Sequence, residues 1–65
     1  MNKRDLTKCI KIATALDSQS YILQRACEAA LVNHHLHDDV YCDEAVVSLL
    51  HIEKCCRDLR AKLIL

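Results

Sequence analysis

The chain contains no glycine, no proline, no phenylalanine and no tryptophan. Average usage would place roughly five glycines and three prolines in a protein of this size. Those residues supply the backbone angles of hairpin turns, bulges and tight loops, so their absence excludes sheet-based and turn-rich folds. It also excludes a glycine-rich phosphate loop. With only Tyr21 and Tyr41 as large aromatics, the chain has little on which to stack unpaired bases. Uninterrupted apolar runs stop at four residues, Ala29-Ala30-Leu31-Val32, far short of a bilayer span. The opening Met1-Asn2-Lys3-Arg4-Asp5 is charged and leads into no secretory apolar stretch. A cytoplasmic protein with its five cysteines reduced is the expectation.

What is present is a repeated apolar stripe. Leu6, Cys9, Ala13, Leu16, Ser20, Leu23, Cys27 and Ala30 follow one another at spacings of 3, 4, 3, 4, 3, 4 and 3. After the polar stretch Asn33 to Asp39, Cys42, Ala45, Leu49, Ile52, Cys56, Leu59 and Leu63 repeat the pattern at 3, 4, 3, 4, 3 and 4. Sustained 3-4 spacing is the signature of a helical seam. The sequence therefore predicts an all-α fold of one domain, with a helix over about 4–33, a link over about 34–38 and a helix over about 39–63. Asp38 or Asp39 is placed to cap the second helix. Asp43 and Glu44 near its start, and Lys54, Arg57, Arg60 and Lys62 near its end, complement its dipole. The polar run Asp17-Ser18-Gln19-Ser20 is where the first helix is most open to a break, although the stripe keeps its phase through Ser20.

A short link makes the helices antiparallel, as rods of roughly 35 to 45 Å. Two rods share a single contact line, yet Ile10, Ile12, Tyr21, Ile22, Val46, Val47 and Leu50 widen the apolar surface beyond it. A chain of 65 residues is also short for a self-sufficient core. The expectation is an antiparallel two-helix hairpin that dimerises into a four-helix bundle, with a complex with a different protein as the alternative.

Charge is distributed unevenly. Residues 1–12 and 53–65, brought to one end by an antiparallel hairpin, sum to +5, and residues 13–52 sum to −5. The basic end, with Lys3, Arg4, Lys8, Lys11, Arg57 and Arg60 beside the apolar Leu63-Ile64-Leu65, is the candidate contact surface for a protein partner or a phosphate backbone. His34, His35 and His37 with Cys42 carry metal-ligand chemistry, but in a spacing that matches no established zinc motif. A solvated link is the expected role, with no cofactor. Cys9, Cys27, Cys42 and Cys56 fall on the stripe and Cys55 beside it, as small hydrophobes. No Ser-His-Asp order or carboxylate pair in a rigid cleft points to an enzyme.

The layout resembles the Rop family of plasmid copy-number regulators. Met1, Lys3 and Thr7 agree with that family's opening, and Ser18-Gln19 resembles its Ser-Gln pair with a one-residue shift. The resemblance implies a hairpin dimer that grips paired RNA loops, or a small accessory regulator of the kind plasmids and phages carry. Where the family has a phenylalanine on its first helix, this chain has Thr14 and Ala15.

Overall fold

The computed structural model describes residues 2–36 and 39–63. It is an all-α antiparallel hairpin: α1 over Lys3–Val32, a single 3-10 turn over His34–Leu36, and α2 over Val40–Leu63. Thirty and 24 residues make rods of about 45 and 36 Å, packed into a body of 51 × 15 × 12 Å.

Local chemistry sets the ends. Asn2, extended at φ −84° and ψ 167°, accepts a 2.9 Å hydrogen bond at its side-chain oxygen from the Asp5 amide, and so satisfies one of the first unpaired donors of α1. At the far end Asn33 closes the helix twice, donating from its backbone and from its side-chain amide to the Ala29 carbonyl at 3.0 and 2.8 Å. His34 donates from Nδ1 to the Leu31 carbonyl at 2.9 Å, which takes up another of the terminal acceptors. The Leu36 amide then bonds the Asn33 carbonyl at 3.0 Å, forming the 3-10 turn. Asp39 stands directly before α2, its backbone carbonyl accepting from the Asp43 amide at 2.9 Å. Asp38, the other expected cap, lies outside the described residues.

α1 runs unbroken through Asp17–Ser20. Within that run Asp17, Ser18 and Ser20 are exposed and Gln19 is half-buried. Thr7 and Thr14 donate their hydroxyls to the carbonyls of Lys3 and Ile10, each at 2.9 Å, four residues back and within the helical geometry. Asp43 in the first turn of α2, and Arg60 and Lys62 in the last, oppose the dipole charges as expected.

The contact between helices is narrow. Only Cys9, Ala26 and Ser48 are buried among the described residues, at 8, 5 and 3% exposure. All three are small, because at the closest approach of two helices only atoms near the helix axis fit. No large side chain there is fully buried. The radius of gyration, 15.2 Å, exceeds the ~11 Å of a compact domain of this length. The fold is a rod one helix thick, and among the described residues there is no core beyond that seam.

Candidate interaction surfaces

The buried and half-buried line between the helices runs through Asp5, Cys9, Ile12, Leu16, Gln19, Leu23, Ala26 and Ala30 on α1, with Asn33 just past its end. On α2 it runs through Tyr41, Ala45, Ser48, Ile52, Cys55, Leu59 and Lys62, every one buried or half-buried. Half of the apolar stripe belongs to this line: Cys9, Leu16, Leu23, Ala30, Ala45, Ile52 and Leu59. The other half is displaced by one residue from it. Leu6, Ala13, Ser20, Cys27, Cys42, Leu49 and Leu63 are exposed, and Cys56 is half-buried. The expectation that Cys27 and Cys42 are packed inside is therefore corrected for the hairpin itself. Cys55, placed beside the stripe in the sequence, is on the contact line, because α2 is rotated by about one residue from the most apolar phase.

The displaced residues share one flank. On each helix, the residues just before Leu23, Ala30, Ala45 and Ile52 lie on the opposite flank: Ile22 and Ala29 from α1, Glu44 and His51 from α2. They line open grooves between the helices. Residues that follow Asp5, Ile12, Gln19 and Ala26, or Tyr41, Ser48, Cys55 and Lys62, must then line the other side. The antiparallel register places Leu6 with Leu63 at the open end, then Ala13 with Cys56, then Ser20 with Leu49, then Cys27 with Cys42 nearest the turn. Ile10, Leu31 and Val46, all exposed, border this flank. The flank is a strip of apolar and small side chains, bordered at the equivalent helical positions by the exposed Asp17, Gln24, Glu53 and Arg60.

Lys3, Arg4, Lys8, Lys11, Arg57 and Arg60 are all exposed, as is Leu63, and the hairpin brings the α1 start and α2 end together. Arg4, Lys8 and Lys11 fall on the grooved flank, away from the apolar strip. Lys54 pairs with Asp58 at 3.1 Å, and Arg25 with Glu28 at 3.3 Å; these are surface pairs along one helix, each worth about 0.3–0.5 kcal/mol. Ile64 and Leu65 lie outside the described residues.

The histidines converge less than their spacing suggests. His34 and His35 meet edge to face, with ring centroids 6.1 Å apart, and His34 commits Nδ1 to a backbone carbonyl. Cys42 is exposed on α2, and His37 lies outside the described residues. Among the described residues, no three His, Cys, Asp or Glu side chains gather as a metal site, and no helix is long and apolar enough to cross a membrane.

Asn2, Asp5, Gln19, Ser48 and Lys62 are structural positions that apolar periodicity does not flag. The Asn2 cap has a signal in hindsight, since Asn followed three residues later by an acid resembles a capping box. The polar seam positions have none. No protein family matches the chain, and no characterised protein or solved structure matches it. What the structure supports is the architecture alone, an antiparallel pair of helices.

Proposed function

We propose that this chain is a non-catalytic interaction module: a homodimer of hairpins, joined along the apolar flank into a four-helix bundle, that binds another macromolecule through its basic end. The observation that carries the reading is surface area. The hairpin exposes 5208 Å², whereas a compact monomer of 7.4 kDa exposes about 4,200 Å². The excess, about 1,000 Å², is close to the ~800 Å² that each partner contributes to a standard protein interface. An elongated shape accounts for the excess geometrically, but the apolar strip makes leaving it in water costly.

A dimer joined on that flank leaves Arg4, Lys8 and Lys11 open on the other side, available to an acidic protein surface. Binding of a regulatory target is the role this arrangement serves, in keeping with a small accessory protein. The second reading, favoured by the same bases and by the Rop-like layout, is a nucleic-acid regulator. The two separate on salt and sequence context. Phosphate binding weakens steeply with added salt, so a gel-shift titration with paired RNA loops at low ionic strength that gives no complex removes it.

The module reading is tested with Lys8→Glu/Arg57→Glu. Its circular dichroism and mass should match those of the parent chain, and capture of the physiological target should be lost. Retained capture contradicts the role given to the basic end.

A further inference from the structure

The grooved flank carries a second surface, in the half of the rod nearer the turn. Two open grooves share Ile22 and Glu44 and so form one channel, from Gln19 and His51 at one end to Ala29 and Tyr41 at the other. We infer that this channel is a docking site for a basic amphipathic helix of a partner protein. The inference goes beyond the function proposed above and needs neither the dimer nor the basic end.

Shape calls for an apolar helix face. Ile22, Val40 and Val47 line the channel and are all exposed, so covering them is the driving term. The floor holds Ser48 and Ala26, both buried, and side chains this small let a third helix come close. Along the channel α1 and α2 spend their backbone groups on their own helices. An extended peptide would bury amides there without partners, whereas a helix arrives with its own bonds made. Ile22 and Ala29 are about 10 Å apart along α1, and Val40 and His51 about 16 Å along α2, which sets the docked length at two to three turns.

Charge sets the sign of that helix. Asp43 and Glu44 line the channel and are exposed, and among the described residues neither carboxylate has an ion pair. The bases on this flank are committed or distant. Arg25, which also lines the channel, pairs with Glu28 at 3.3 Å. Lys11 is about 16 Å from Ile22 along α1, twice the Debye length of about 8 Å at physiological ionic strength. An apolar channel rimmed by two unpaired carboxylates takes apolar anchors flanked by Lys or Arg, and disfavours an acidic helix.

The probe is a fluorescent peptide of about 15 residues, with Leu at i, i+4, i+7 and i+11 and Lys on both sides of that stripe. Anisotropy at physiological salt should show saturable binding, about tenfold tighter than for the same peptide with Glu in place of Lys. Asp43→Lys/Glu44→Lys should reverse the order of the two peptides, and Val47→Ala should weaken the Lys peptide several-fold, with circular dichroism matching the parent chain. In isotopically labelled parent protein, the amide signals of Ile22, Glu44 and Val47 should move. No saturable binding by the parent chain, equal affinity for the two peptides, or shifts confined to Cys27, Cys42 and Leu49 would overturn the inference. So would a fall in the chain's assembled mass on Val47→Glu, which would put a second copy in the channel. None of these outcomes bears on target capture through Lys8 and Arg57, so failure here and failure of the basic-end reading are distinct.

Discussion

Asn2 ties down the first turn of α1 through a single 2.9 Å hydrogen bond. Replacing an amide cap by alanine costs typically about 1 kcal/mol, and a 65-residue chain has only roughly 3–10 kcal/mol in total. Asn2→Ala should therefore lower the urea midpoint visibly without changing its slope, and an unchanged midpoint would mean the cap contributes nothing. Ala26, 5% exposed, fixes the closest approach of the helices. Ala26→Leu inserts a branched side chain where the backbones nearly touch, and should destabilise by about 1–3 kcal/mol. Chemical denaturation checks it; a neutral result would show that the helices separate at no cost. Neither residue lies on the exposed apolar flank, so both effects should appear without a change in mass.

The two helices were legible from the sequence because nothing in it opposes them. Spacing of 3 and 4 runs without interruption, and no glycine or proline breaks it. The rotation of each helix about its own axis was not legible. Hydrophobicity favours Leu6 over Asp5 and Leu49 over Ser48, yet Asp5 and Ser48 face the other helix and the leucines do not. In a rod one helix thick, water borders the seam on both sides. Asp5, Gln19 and Lys62 can lie along it with their polar ends hydrated, while Ser48 allows close approach. The apolar stripe thus falls between two lines, the one used within the hairpin and the one left outside.

That division separates two substitutions. Ile52 is half-buried between the helices, so Ile52→Asp places a charge in the seam and should abolish the helical signal altogether. Leu49 is 43% exposed in the hairpin and would matter little to an isolated copy. Leu49→Asp should convert the assembly to a 7.4 kDa species, with helicity falling as the partner is lost. Sedimentation velocity and circular dichroism on the same samples decide this. Equal, small effects of both substitutions would remove the distinction between the inner and outer lines.

At the scale of the whole molecule, a rod with three buried residues among those described has little to hold it together alone. Below about 40 residues isolated domains usually need a metal, a disulfide or a partner, and those near 60 are marginal. The described cysteines are unpaired, which leaves assembly as the stabilising term proposed for the hairpin. Folding linked to association makes the thermal midpoint depend on protein concentration. Raising the concentration from about 1 to about 100 μM should shift it upward by several degrees; a constant midpoint would place the stability inside the single hairpin.

Multi-angle light scattering at micromolar concentration, with circular dichroism on the eluted peak, separates a dimer from a lone hairpin. A dimer gives one strongly helical species of twice the 7.4 kDa chain mass. A stable, fully helical species at the mass of a single chain would contradict it.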